Sequence, residues 1–320
     1  MSRKDQVYRA VKMQGPDYVP ILHHNKDRDQ SDIIVAGVVR DFMGEERNLS
    51  EWGYKWERHD ETMGQPVDVV INSYDELSSM SIPDPFDKSR YDTIAVAKKE
   101  FGEDRFYIAG LGLTGFTLMT FIRGFENTLM DLYSDRENLE KLADIIFGFE
   151  ENLILQLANY DVDAVCFSDD WGMQDSLIIS PDMWREFFKP RYKKQFDLAH
   201  EKGLYVYFHC CGNIIDIIPD LIEIGVDMLN ISQPNIFDIK KLGKDFGGKT
   251  CFVCPVSYQT TSLFGTKEEI YEDVRALVEN LGCFNGGLVG YVEEYHSIGL
   301  SDENYNHCLN AFRELGRYKK

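Results

Sequence analysis

No stretch of the 320 residues approaches the run of about 18 apolar residues that a membrane-spanning helix needs. Low-complexity tracts, Gly/Ser linkers and internal repeats are missing as well, so the sequence predicts a single domain over residues 1–320. Met1–Gln14 is polar and mixed in charge, without the apolar segment of a secretory signal. Positive charge is the scarce sign: 34 Lys and Arg stand against 54 Asp and Glu, a net −20 with His neutral. A chain this acidic repels phosphate backbones and anionic lipid heads, so neither nucleic acid nor a membrane surface is expected as a partner. No G-x-G-x-x-G or P-loop pattern follows a predicted strand, so nucleotide binding has no support in the sequence. The seven cysteines are odd in number and the chain is too large to need staples, so reduced thiols in a cytoplasmic location are expected, some of them as metal ligands.

What is present is ordinary globular chemistry, 43% hydrophobic and 28% charged. Short runs rich in Val, Ile, Tyr and Phe recur and predict buried parallel strands. They are Val19–Leu22, Val67–Asn72, Phe106–Leu111, Ala164–Ser168, Tyr205–His209, Met228–Ile231, Thr250–Val253 and Leu288–Val292. Helical patterns lie between them. Asn138–Asn159 is long and amphipathic; Ser180 caps a helix with Pro181 at its first position and a break expected at Pro190. Gly203 and Gly225 stand where C-terminal cap glycines belong, Thr266 and Glu269 form a capping box, and Ser301 opens the last helix. Eight strands alternating with helices predict a closed (β/α)8 TIM barrel, with Asp41–Asp92 as a decoration that helps to cover the site.

In such a barrel the chemistry sits where strands run into the loops before the helices. In Tyr205-Val206-Tyr207-Phe208-His209-Cys210-Cys211-Gly212-Asn213 the two-residue period of a strand puts His209 and Cys211 on one face, half of a zinc site. Cys254, near the tip of its own strand, is a third candidate ligand, whereas Cys251 faces the other way; a redox role for this C-x-x-C lacks the required helix start. After the last strand, Glu294 and His296 share a face, and either can complete the metal site or act as acid or base. Asp169 and Asp170 follow another strand tip: Asp169 is assigned to catalysis, and Asp170 with Trp171 to substrate binding. His24, Asn230 and Gln233 are the remaining polar substrate contacts, and Trp52, Trp56, Phe116 and Phe121 are candidates to line an apolar pocket.

These residues resemble the uroporphyrinogen decarboxylase superfamily. The resemblance runs through Asp163-Ala164-Val165, Phe167-Ser168-Asp169-Asp170-Trp171, Ser180-Pro181, Phe208 to Asn213, Gly225 to Asn230, Gly265 to Glu269 and Asp302-Glu303-Asn304, and more weakly upstream through Asp17 to Pro20 and Pro83 to Pro85. It implies a (β/α)8 barrel over nearly the whole chain. The decarboxylases of the superfamily carry an arginine-rich segment after the first strand; here that place reads His23-His24-Asn25-Lys26-Asp27-Arg28-Asp29, with two basic residues among acids. The corrinoid-dependent methyltransferases of the superfamily that act on coenzyme M use His-x-Cys and a distant Cys for zinc. This chain keeps His209-Cys210-Cys211 and has His296 where the distant Cys is expected.

The resemblance therefore implies a zinc-dependent methyltransferase of the O-demethylase type, moving a methyl group from a small methoxylated donor to a Co(I) corrinoid. The chain lacks the Asp-x-His-x-x-Gly motif that ligates corrinoid, so the cofactor is expected on a separate corrinoid protein. Glu294 or Asp169 would return a proton to the leaving oxygen. A homodimer is common in the fold family. The competing readings are a uroporphyrinogen-type decarboxylase and a non-catalytic corrinoid-binding barrel.

Overall fold

The structure, a computed structural model, describes residues 1–42, 48–58, 64–293 and 298–318. Ten strands are present among them: β1 (Ile21–His23), β2 (Ile33–Gly37), β3 (Trp56–Glu57), β4 (Gln65–Pro66), β5 (Phe106–Leu113), β6 (Ala164–Ser168), β7 (Tyr205–Cys210), β8 (Met228–Ile231), β9 (Cys251–Cys254) and β10 (Leu288–Val292). The helices are α1 (Arg3–Val11), α2 (Asp92–Phe101), α3 (Gly115–Arg123), α4 (Phe125–Ser134), α5 (Arg136–Leu157), α6 (Pro181–Phe187), α7 (Lys189–Glu201), α8 (Ile218–Glu223), α9 (Ile239–Phe246), α10 (Thr261–Phe264), α11 (Lys267–Asn280) and α12 (Asp302–Leu315). Eight strands form one parallel sheet in the order β1-β10-β9-β8-β7-β6-β5-β2, and β3 and β4 make a small antiparallel ribbon.

The sheet closes on itself through two side-chain bonds and one backbone bond. Where β1 meets β2, the Ile21 amide donates to Asp32 Oδ2 at 2.8 Å, the His23 amide donates to Ser31 Oγ at 2.9 Å, and the Asp32 amide donates to the Ile21 carbonyl at 2.9 Å. These bonds satisfy strand groups that a ladder would otherwise serve. The result is a (β/α)8 barrel whose strand residues divide strictly by parity. Leu22, Ile108, Cys166, Tyr207, Met228 and Val253 fill the interior. Their neighbours Val165, Phe167, Phe208, Leu229, Phe252 and Cys254 join the larger apolar layer under the helices. Val7 and Val11 of α1 complete the inner cluster and close the bottom of the barrel, which leaves the C-terminal ends of the strands as the open face.

Ala164–Ser168, Met228–Ile231 and Leu288–Val292 are strands with the predicted bounds, and the caps at Ser180, Thr266 and Ser301 form as expected. Val67–Asn72 is not a barrel strand. Asp68 interrupts it, and the amides of Val70 and Ile71 donate to the Ile122 carbonyl at 2.8 and 3.0 Å, covering the end of α3. The barrel strand missing from the prediction is β2, a β-branched run directly after Ser31-Asp32. The decoration packs over α3 and α5: Trp52 and Tyr54 are buried, Trp52 lying edge-on to Phe149 at 5.1 Å. Among the described residues no helix is long and apolar enough to cross a membrane.

The start of α3 ties β6 to the helical layer. The Gly115 amide donates to Glu150 Oε1 at 2.8 Å, and the amides of Phe116 and Thr117 donate to Asp169 at 2.9 and 2.8 Å. Two buried carboxylates thus meet the orphan donors and the positive end of the helix. Gly115 has φ +48°, and a Cβ there would lie 2.3 Å from Asp169 Oδ2. Burial pushes the Glu150 carboxyl up to about 8, against the hydrogen bonds from Gln195 and Gly115. A raised acid stabilises the fold in its protonated form, fully below its unfolded value and progressively less as pH climbs toward about 8. The melting temperature should therefore fall as pH rises from about 6 to about 8, by at most about 1.4 kcal/mol of stability per pH unit from this group. Glu150→Gln should flatten that slope in a calorimetric series; an unchanged slope would show that Glu150 is ionised throughout.

Candidate metal centre

Strands β6 and β7 pair in register, Ser168 beside His209, and the same parity carries into the loops beyond them. Inward-facing positions therefore continue as Asp170 after β6 and as Cys211 after β7. The two loops then touch backbone to backbone. Gly172 N donates to the Cys211 carbonyl at 3.1 Å, and Asn213 N donates to the Met173 carbonyl at 2.7 Å. Gly212 adopts φ +76°, and a Cβ on it would stand 2.0 Å from the Gly172 carbonyl oxygen; a Cβ on Gly172 would stand 2.3 Å from Gly212. Only two glycines allow this approach.

The approach gathers three donor groups. Among the described residues, Asp170, His209 and Cys211 offer a carboxylate oxygen, an imidazole nitrogen and a sulfur that all lie within 4.8 Å of one another. His209 Nε2 is 3.7 Å from Cys211 Sγ and 3.8 Å from Asp170 Oδ1. Around a tetrahedral zinc, bond lengths of about 2.0–2.3 Å put neighbouring ligand atoms roughly 3.3–3.8 Å apart. The donor types suit such an ion, and the two spacings from His209 Nε2 fall in that range.

The surroundings hold the imidazole and the carboxylate in place. Asn230 Oδ1 lies 2.6 Å from His209 Nδ1, and Asn230 Nδ2 donates to the Val253 carbonyl at 2.7 Å. With its amide oriented by Val253, Asn230 can only accept from the imidazole, so Nδ1 carries the proton and Nε2 presents its lone pair to the trio. The Cys211 amide donates to Asp170 Oδ1 at 2.8 Å, and the Asp170 amide donates to Thr117 Oγ1 at 2.9 Å. Gln233 Oε1 accepts from the Gly212 amide at 2.5 Å. Burial, reinforced by the Asp170 charge, pushes the Cys211 thiol up to about 12. A bound cation reverses that balance and favours thiolate.

Several predicted residues take other places. Asp169 has the opposite parity, is fully buried, and spends its carboxylate on Phe116, Thr117 and Tyr192; burial raises it to about 7. It anchors α3 and does not face the barrel mouth, so it is removed from the catalytic set. Trp171 is also fully buried, stacked on Phe116 at 4.4 Å with its indole N–H on Tyr192 Oη at 3.0 Å, and belongs to the core. Cys254 faces the helices beside Phe252 with no exposure, so it is not a ligand of this centre. Asn230 hydrogen-bonds His209, and Gln233 hydrogen-bonds the Gly212 amide in the β7 loop. Trp52 and Phe116 are core residues. His24 lies at the rim, its ring 5.9 Å from that of Tyr291, with its basicity lowered by the walls of the mouth while Glu293 opposes. Glu294 and His296 lie outside the described residues.

Two residues at the mouth escaped the sequence reading. Tyr258 hydrogen-bonds Gln233, and burial together with the charges of Cys211 and Asp170 holds its phenol above the usual value. Glu293 accepts from the Tyr291 hydroxyl at 2.7 Å. Tyr258 sits in a loop after β9 with no local motif; Glu293 differs in parity from its neighbour Glu294, a signal that was available.

Over residues 53–289 the sequence matches uroporphyrinogen decarboxylase (URO-D), and the chain belongs to that family. No curated protein matches it in sequence. Among solved structures, a methyltransferase from Methanosarcina mazei superposes with a TM-score of 0.72 at 16% identity, covering 98% of this chain and 99% of that one. A 3-keto-D-glucoside 4-epimerase from E. coli reaches a TM-score of 0.46 at 16% identity, over 71% of this chain and 84% of its own. At such identities the first match speaks to the fold, and the second carries no argument.

Gly212→Ala tests the loop contact. The variant should fold but bind zinc at least about tenfold more weakly in a chelator competition, because Cys211 is displaced from Asp170 and His209. Wild-type affinity would show that the two loops need not touch.

Proposed function

We propose that the protein is a zinc-dependent methyltransferase that transfers a methyl group from a small methoxylated donor, aromatic donors included, to the Co(I) corrinoid of a separate protein. The observation that carries this reading is the Asp170–His209–Cys211 trio at the open end of the barrel. The shared fold of the methyltransferase from Methanosarcina mazei agrees with it. A porphyrinogen decarboxylase needs cations for many carboxylates, and the segment after β1 does not offer them. Arg28 donates to the Val35 carbonyl at 3.0 Å and lies over the Phe101 ring, while Lys26 pairs with Asp302 at 2.7 Å.

Asp170, His209 and Cys211 would hold the zinc, with Asn230 fixing the imidazole tautomer. Bound there, zinc supplies Lewis-acid polarisation of the donor's leaving oxygen, the difficult part of breaking an ether bond. Tyr258, kept protonated, adds a hydrogen-bond donor beside the trio. The Co(I) corrinoid of the separate protein would be the methyl acceptor, a substrate that the open end of the barrel would have to admit. Proton return to the leaving oxygen is assigned to Glu294 or His296, which follow Val292 in the sequence by two and four residues. Asp169 keeps the β6 loop in register and takes no part in the chemistry.

The test is methyl transfer from a panel of methoxylated aromatics to Co(I) corrinoid, followed by the visible spectrum of the corrinoid. The wild type should turn over at least one donor, and Cys211→Ala should lose at least about a hundredfold in rate with its circular dichroism intact. Unchanged transfer in a folded Cys211→Ala would sink the proposed role of the trio.

A further inference from the structure

On the outer face of β1, away from the barrel mouth, lies a second cavity of about 280 Å³. Three arginines from different parts of the chain line it: Arg3 from the first turn of α1, Arg313 from the last turn of α12, and Arg317 just beyond that helix. The chain carries 20 more acidic than basic side chains, yet among the described residues none of these three has a carboxylate within ion-pair distance. Arg3 donates to the carbonyls of Gln30 and Ser31 at 2.7 and 3.3 Å, and Arg313 donates to Gln30 Oε1 at 2.5 Å. The helix dipole accounts for Arg313, but it disfavours a cation at Arg3, in the first turn of its helix. The carboxylate that shares the cavity, Asp32, is occupied by the Tyr18 hydroxyl at 3.0 Å and the Ile21 amide at 2.8 Å.

The lining holds one further polar group. His23 also lines this cavity, is 2% exposed, and its Nε2 has no hydrogen-bond partner among the described residues. The neighbouring Leu22 faces the barrel interior, so the cavity is separated from the metal centre by the wall of the barrel itself.

We propose that this cavity is a binding site for a small oxyanion, a phosphoryl or carboxylate group, held by Arg3, Arg313 and Arg317. Guanidinium forks match planar and tetrahedral oxyanions with paired, charge-assisted hydrogen bonds, and an absence of lysine in the lining fits that geometry. An anion here neutralises the arginines, of which Arg3 alone feels the charge of Asp32, and links α1, the seam between β1 and β2, and the end of α12.

Calorimetric titration of the full-length, zinc-loaded protein with inorganic phosphate tests the proposal, with malonate as the carboxylate arm and sodium chloride at matched ionic strength as the blank. One saturable site per chain is expected for phosphate, for malonate or for both, and the preferred anion identifies the group. The double variant Arg313→Gln, Arg317→Gln changes exposed side chains and should weaken binding at least tenfold, while Cys211→Ala should leave it unchanged. No saturable heat with either anion, or binding kept in the arginine variant and lost in Cys211→Ala, would overturn the proposal, the latter by placing the anion at the metal centre.

Discussion

The backbone contact between Gly172 and Gly212 is the constraint on which the centre depends. Two loops from adjacent strands are pressed together until a single Cβ on either would collide with the other's backbone. That contact converts the register of β6 and β7 into a meeting of Asp170 with Cys211, and His209 reaches the same point from the strand below. The imidazole is then fixed by the Asn230 amide and the carboxylate by the Cys211 backbone amide, so much of the cost of organising the trio is met by the fold.

The two acids in Asp169-Asp170 show how one residue of shift divides labour. Asp169 points outward and holds the first turn of α3 with four donors around it; Asp170 points inward and offers a carboxylate to the centre. The anchor serves the ligand, because Thr117 donates to Asp169 and accepts from the Asp170 amide. The rigid wall and the reactive mouth are thus built from consecutive residues of one loop.

Much of the barrel was legible in the sequence because buried parallel strands are short apolar runs bounded by caps, and seven of the eight could be placed that way. The eighth failed on composition: Val67–Asn72 carries Asp68 and Asn72 and covers the end of α3, whereas Ile33–Gly37, without a polar side chain, is the strand. His209 and Cys211 were legible because strand parity survives into the loop. The same parity argument, applied to Ser168, selects Asp170 over Asp169, and applied to Val253 turns Cys254 away from the interior. Choosing by chemical type, a second thiol and the first carboxylate, lost that information. Asn230 looked like a substrate contact because a buried amide at a strand tip has the same sequence signature whether it faces a ligand or a histidine.

Zinc content per chain, set side by side for wild type, Asp170→Ala and Cys254→Ser, tests the central claim most directly. The account predicts about one zinc in the wild type and in Cys254→Ser, and a marked loss in Asp170→Ala. Full occupancy in Asp170→Ala with loss in Cys254→Ser would contradict it, as would a well-folded wild type that takes up no zinc on reconstitution.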